Sequence, residues 1–398
     1  MARTVADLGK GMRVTDHVSL GVLTKYVPKS KIEAVLQETG KQSQRHRQLP
    51  APLMVYYVLA LGLYMDVSYG EVLRCLLEGL RWLGLPIRNR CTARSSISQA
   101  RHRLGPEPLE RLYREIAGPI AQQQTQGAWY RGWRLVALDG SSLDVADTAA
   151  NQAHFGRPSS PRGGQSGFPQ MRFVALAELG TRILLAAQPG SYRASELELS
   201  QRAIAELRPD MLCLADRGFY SYSLWEQALQ TGSQLLWRLQ KTLVLPRLKV
   251  LPDGSYLSQV YASGKDRRHQ KGHWVRVIEY QLEDIEDGQP VYRLLTTLLD
   301  PHTAPAAELA KLYHERWEIE NAFDELKTHL RGRQVVLRSK APDLVLQEFY
   351  GLLLTHYALR CVIHEAALQG QIDPDEVSFI HTVRVVRRKL PALAAFPP

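Results

Sequence analysis

WRLVALDG, residues 133–140, is an apolar run of strand length that meets an aspartate, Asp139. A second run, MLCLAD at 211–216, meets Asp216 in the same way. Between them, RFVALAELGTRILLAAQPG (172–190) reads as two strands joined by a Gly-containing turn. SELELSQRAIAEL (195–207) then has helical periodicity, and SYSLWEQALQ (221–230) follows Asp216 as a further helix. This order predicts an α/β domain. If the strands ending in Asp139 and Asp216 are neighbours in one sheet, their carboxylates converge at its edge.

Far downstream, YHERWEIENAFDELK (313–327) has a helical pattern carrying Tyr313, Arg316, Glu320 and Lys327. At about 100° per residue these four fall within an arc of roughly 60°. Leu312, Ile319, Phe323, Leu326 and Leu330 form an apolar stripe on one flank, and His314, Glu318, Asn321 and Glu325 make the other side polar. The helix is expected to bury its stripe and present a carboxylate, two cations and a phenol along its edge. The i,i+4 spacing of Arg316 and Glu320 equally fits a plain surface ion pair. The other acidic positions decide between these readings.

The chain has 398 residues and a formal charge of +10, with 23% charged residues. That length holds two or three domains with room for a core, and a basic surplus favours a polyanionic partner, nucleic acid foremost. Cys75, Cys91, Cys213 and Cys361 are far apart and form no CxxC pair. The spacing argues against a zinc site and against a disulfide framework, and it fits a reducing cytosol. The N-terminal residues MARTVADLGKGMRV lack an apolar signal core. The longest apolar run, APLMVYYVLALGLYM at 51–65, is too short to span a membrane and reads as a buried helix.

Residues 1–128 are helical in pattern and 129–239 alternate strands and helices. Residues 240–300 are strand-rich, with a basic loop at KDRRHQKG, and helical signals return from about 301 to the end. Asp139, Asp216 and Glu320 lie on three separate elements. Converging carboxylates of this kind can hold two divalent ions that clamp the attacking and leaving oxygens of a phosphodiester. Asp144 and Asp147 follow Asp139 closely and read as loop or cap residues.

Tyr313, Arg316, Glu320 and Lys327 also reproduce a known spacing: Tyr, two residues, Arg, three residues, Glu, six residues, Lys. The chain resembles the bacterial insertion-sequence transposases of the insertion element 4 type, within the DDE group. LVALDGSSLDVADT resembles the first-aspartate block of that family and LCLADRGFYSYSLW the second. DHVSLGVLTKYVPKSKIEAVLQETG and LPAPLMVYYVLALGLYM resemble its N-terminal helical domain, so the likeness covers nearly the whole chain.

The resemblance implies a ribonuclease H-like mixed-sheet catalytic core with a β-rich insertion, plus helical N-terminal and C-terminal regions. The expected divisions are a DNA-binding domain at 1–128, core at 129–239 and 301–343, insertion at 240–300 and a helical tail at 344–398. It implies Asp139, Asp216 and Glu320 as catalytic ligands of two Mg²⁺ ions, with Mn²⁺ as a substitute. Double-stranded DNA with terminal inverted repeats, and target DNA, are the implied partners of a homodimer with no membrane association. A nuclease that cuts without joining, and a non-catalytic DNA-binding descendant, are the alternatives. The intact acidic set argues against the second of these.

Other positions are expected to touch DNA. Tyr313 offers a hydroxyl, Arg316 a two-pronged phosphate grip and Lys327 a point charge. NRCTARSSISQARHRLG places Arg94, Gln99 and Arg103 on a helix suited to a major groove, with Arg101 and His102 adding charge. Arg267 and Arg268 in the basic loop suit a DNA backbone, as do Arg384 and Arg387 near the C-terminus. Hairpin-forming relatives carry an aromatic on the last insertion strand, so the resemblance implies Tyr292 as the stacking platform for a flipped base, with Trp237 and Trp274 as other candidates.

Overall fold

The computed structural model describes residues 20–45, 49–82, 94–159, 167–243, 245–269, 271–281, 291–332 and 336–388. Cys91, and Gln270 of the basic stretch KDRRHQKG, lie outside these residues.

The chain begins with helices α1 (Leu20–Tyr26), α2 (Lys29–Glu38), α3 (Ala51–Leu63), α4 (Tyr69–Trp82), α5 (Arg94–Leu104) and α6 (Glu107–Ile116). Helix α3 is apolar on every side, and Met54 through Leu63 are buried, as an all-round apolar helix requires. The sheet follows. A two-residue β1 (Trp129–Tyr130) leads into β2 (Trp133–Asp144), α7 (Ala149–Phe155), β3 (Gln170–Glu178) and β4 (Ile183–Ser191). Then come α8 (Glu196–Ala203), β5 (Met211–Ala215), α9 (Tyr222–Gln230) and β6 (Gln234–Arg238).

The next stretch holds β7 (Lys249–Val250), β8 (Tyr256–Val260), α10 (Gly264–Arg268), β9 (His273–Tyr280) and β10 (Tyr292–Thr296). Helices α11 (Ala306–His314), α12 (Glu318–Asp324), α13 (Pro342–Gly370) and α14 (Phe379–Arg388) complete the order.

Among the described residues one ten-stranded sheet runs β4-β3-β2-β5-β6-β10-β9-β8-β7, with β1 beside β2. Strands β2, β3 and β4 form an antiparallel meander, while β5 and β6 join β2 in parallel. This is the ribonuclease H-like core. The strand-rich segment at 240–300 continues the same sheet, because β10 pairs antiparallel with β6. The β-rich insertion expected in the core thus extends its sheet, through pairing between strands more than fifty residues apart.

Both sheet faces are covered. Leu135 and Ala137 of β2 face a core shared with α3, α12 and α13, and Val136 and Leu138 face one shared with α8 and α9. Glycine lets α13 approach α3 closely: a Cβ at Gly351 would lie 2.7 Å from Val58 Cγ1 and 2.9 Å from its carbonyl oxygen. Among the described residues no helix is long and apolar enough to cross a membrane.

Three expectations need correction. Strand β2 does not stop at Asp139; pairing with β3 carries it on to Asp144, which bonds Gln170 from the end of the strand. Residues 306–330 are not one uniform helix either. A 3₁₀ turn at Glu315–Trp317 separates α11 from α12, and a π turn at Glu325–Leu330 follows. The polar side of that helix is also partly internal. Glu325 is buried, ion-paired to Arg360 and Arg182 and hydrogen-bonded to His356, and Glu318 pairs with Arg182.

Candidate active site

The sheet register places the first two acids. Leu138 of β2 pairs with Ala215 of β5 on the last rung of their parallel ladder, so Asp139 and Asp216 both follow directly beyond it. Asp139 has the same parity as Leu135 and Ala137 and so lies on the face that α12 covers. The packing of α12 against β2 carries Glu320 to the same edge.

Cations join the three acids. Arg316 donates to Asp139 Oδ2 at 2.8 Å and to Glu320 Oε1 at 3.1 Å. Arg238 Nη1 lies 3.7 Å from Asp216 Oδ1, and the Tyr313 hydroxyl lies 3.4 Å from that oxygen and from the Ala215 carbonyl. Lys327 Nζ donates to Ser141 Oγ at 3.0 Å, on the same strand as Asp139. Asp139, Gly140, Ser141, Glu320, Phe323, Asp324, Lys327 and Thr328 line an open cleft of about 410 Å³.

Burial tunes these groups. Burial raises Asp139 above the ordinary carboxylate range, the nearby Asp216 adds to this, and Arg316 and the Gly140 N–H act the other way. Tyr313 is raised far above the usual phenol range by burial and by Asp216, so it stays a proton donor. Lys327 is lowered, first by burial and then by Arg331.

Three carboxylates on one edge suit a hard divalent ion in donor chemistry. Among the described residues no three acidic, histidine or cysteine side chains stand close enough to share one ion. The Arg316 guanidinium bridges two of them and supplies the balancing positive charge.

The expected DNA contacts divide into groups. Tyr313 and Arg316 are only 5% and 8% exposed, and their polar atoms face the acids rather than solvent. Arg94, Gln99 and Arg103 are exposed on α5. Arg101 on the same helix is buried, with its guanidinium bonded to Gln347 and the Leu344 carbonyl of α13, so it ties α5 down instead of adding surface charge. Arg267 and Arg268 are exposed, on the one-turn helix α10 capped by Ser263 rather than in a loop. Arg384 is exposed on α14, while Arg387 packs over Tyr64. Tyr292 stacks on Tyr280 at 5.4 Å and lies 4.3 Å from the Arg238 guanidinium, which links it to Asp216. Trp237 is fully buried against Trp225, a core residue, while Trp274 is exposed on β9.

Sequence reasoning overlooked three neighbours. Arg238 ends β6 beside Asp216. Glu196 of α8 approaches Gly140 so closely that a Cβ there would lie 2.8 Å from its Oε1. Trp317 is half exposed, with the Arg316 guanidinium 5.6 Å from its ring. An aromatic directly after the motif arginine was the available signal for the last; the other two depend on contacts between distant segments.

Residues 17–114 match the model for the insertion element 4 transposase N-terminal region, and residues 131–357 match the transposase DDE domain. The chain is 30% identical over 380 residues to the Escherichia coli K12 transposase InsG for insertion sequence element IS4, covering 94% of this chain and 84% of that protein. It is 30% identical over 222 residues to the putative transposase InsZ of the same strain, covering 56% of this chain and 71% of that one. The solved piggyBac transposase synaptic complex with hairpin DNA aligns over 93% of this chain and 79% of its own at 11% identity, with a TM-score of 0.46. Matches to both family regions in chain order, and one relative alike along nearly its whole length, make this chain a member of the insertion element 4 family of DDE transposases.

Proposed function

We propose that this transposase cuts DNA at the terminal inverted repeats of its element and joins the freed ends to target DNA, with Asp139, Asp216 and Glu320 as its catalytic acids. The supporting observation is the Leu138–Ala215 rung, which sets two of the acids side by side, with Arg316 tying the third to the first. The three acids would hold two Mg²⁺ ions, or Mn²⁺ in their place. When bound, such ions activate a water or DNA 3′-OH and stabilise the leaving oxygen.

The remaining roles belong to the protein. Arg316, released from its carboxylates, grips a phosphate with two parallel bonds. Tyr313, held protonated, donates to a phosphate oxygen. Lys327 supplies a point charge from the cleft wall. Tyr292, backed by Arg238, is the stacking surface for an extruded base. Arg94, Gln99 and Arg103 on α5 read the repeat, and Arg267 and Arg268 follow the backbone. In domain terms, 1–128 serve end recognition, 129–239 and 301–343 the chemistry, 240–300 the sheet extension and 344–398 the helical backing. Two inverted ends favour a homodimer, working in the cytoplasm.

The test incubates the full chain with a labelled terminal-repeat duplex, a target plasmid and Mg²⁺, beside Glu320→Gln. Joined products that need metal and vanish in E320Q are expected. Cleavage without joining would replace transposition by hydrolysis alone, and binding with neither would remove the catalytic assignment.

A further inference from the structure

The motif residues hang from α11, and α11 begins without a cap of its own. Its N-cap residue is Pro305, which has no side-chain acceptor. The Ala306 N–H instead donates at 2.9 Å to Asp253 Oδ2, a carboxylate from the turn between β7 and β8, more than fifty residues earlier. The same carboxylate pairs with Arg276 of β9, and its other oxygen accepts from Ser255 Oγ at 2.6 Å.

Arg276 is fully buried, and its donors are divided between the β7–β8 turn and the lead-in to α11. It donates to Ser255 Oγ at 2.7 Å, to the Ala304 carbonyl at 2.6 Å and to the Leu298 carbonyl at 3.4 Å. At the other end of α11, His314 meets the Tyr280 ring edge-on at 6.1 Å. Tyr280 closes the strand that carries Arg276. From Arg276 to Tyr280 the strand rises about 13 Å, and from Ala306 to His314 the helix rises about 12 Å. Strand and helix are therefore fastened at both ends over matching lengths.

We infer that the sheet extension acts as a strut setting the axial position of α11, and through it Tyr313, Arg316 and Glu320, with Asp253 and Arg276 as positioning residues. This rests on the acidic-site reading above. Asp253 touches neither acids nor DNA in this account; it acts only by holding the start of the helix.

The experiment uses the full chain, a labelled terminal-repeat duplex at saturation and Mg²⁺, with DNA affinity measured separately under chelator. Asp253→Ala is expected to slow single-turnover cleavage by about fivefold, the equivalent of one lost helix cap, with affinity unchanged. Amide exchange in α11 should quicken while that in β2 and β3 stays as it was. Asp253→Asn keeps one acceptor oxygen, enough for the Ala306 N–H, and should recover part of the rate. Adding Pro305→Ser to D253A supplies a local cap and should recover it too, which a merely structural salt bridge to Arg276 would not permit. If D253A does not fold, D253A/P305S is compared with P305S alone, and equal rates are expected.

Wild-type cleavage and α11 exchange in D253A would overturn the inference. So would failure of P305S to restore a slowed D253A. Normal cleavage by E320Q would remove the acidic-site reading, and α11 exchange would still decide whether Asp253 anchors the helix.

Discussion

Arg316→Gln is the most informative single perturbation, because Arg316 stands where a metal ion would balance the same charges. Its side chain is 9% exposed and bridges Asp139, 20% exposed, and Glu320, 40% exposed. The inner bond is charge-assisted and sheltered, worth about 1.5–3 kcal/mol. The outer one faces water and contributes about 1 kcal/mol at most. Without divalent ions R316Q should therefore lose roughly 2–4 kcal/mol. A chain of this length unfolds with an entropy of about 0.8 kcal/mol/K, so the melting temperature should fall by about 2–5 °C.

Magnesium should then behave differently in the two proteins. In R316Q the ion has the carboxylates to itself, and tenfold saturation adds about 1.4 kcal/mol, or about 2 °C. In the wild type it must first displace the guanidinium, so the rise should be smaller at equal concentration. Differential scanning with and without Mg²⁺ measures both. Identical melting of the two chelated proteins, or equal magnesium shifts, would refute the idea that arginine and metal compete for one place.

Other expectations follow from the same structure. Burial holds His356 below the ordinary imidazole value despite Glu325, so below about pH 6.5 the unfolded chain takes up a proton the fold resists. Burial would raise Glu325, but Arg360, His356 and Arg182 together lower it, so its contribution is present above the ordinary glutamate value and is lost as pH falls further. Melting temperature should thus decline from pH 7.5 to 5.5, and His356→Gln should postpone the decline to pH values where glutamate titrates; a flat wild-type profile would contradict this. Gly351→Ala forces a Cβ against Val58 and should cost about 1–3 kcal/mol in urea unfolding. Arg103→Ala on exposed α5 should reduce the salt slope of DNA binding by about 0.9 if Arg103 meets a phosphate, and an unchanged slope would remove that contact.

The acidic pair was legible because apolar strand runs stop conspicuously at Asp139 and Asp216, and the Arg316–Glu320 link because four residues make one helical turn. The continuation of β2 was hidden by Gly140, Ser141 and Ser142, which look like turn residues and hold strand geometry only because β3 pairs alongside them. Glu325 looked like a solvent-facing carboxylate; its partners Arg360 and His356 lie a whole helix later. Arg101 looked like surface charge for a similar reason, since Gln347 and Leu344 meet it from α13. The joining of 240–300 to the core sheet, and the capping of α11 by Asp253, depend on contacts between segments that local periodicity does not describe. Local chemistry was readable, and partners brought in by topology were not.

If Asp139, Asp216 and Glu320 ligate the ions that cut DNA, exchanging one ligand atom must change which metal supports cleavage. Asp216→Cys, assayed for cleavage of the terminal-repeat duplex, should be inactive with Mg²⁺, which avoids sulfur, and regain activity with Mn²⁺, which accepts it. Full activity of folded D216C in Mg²⁺ would contradict the claim.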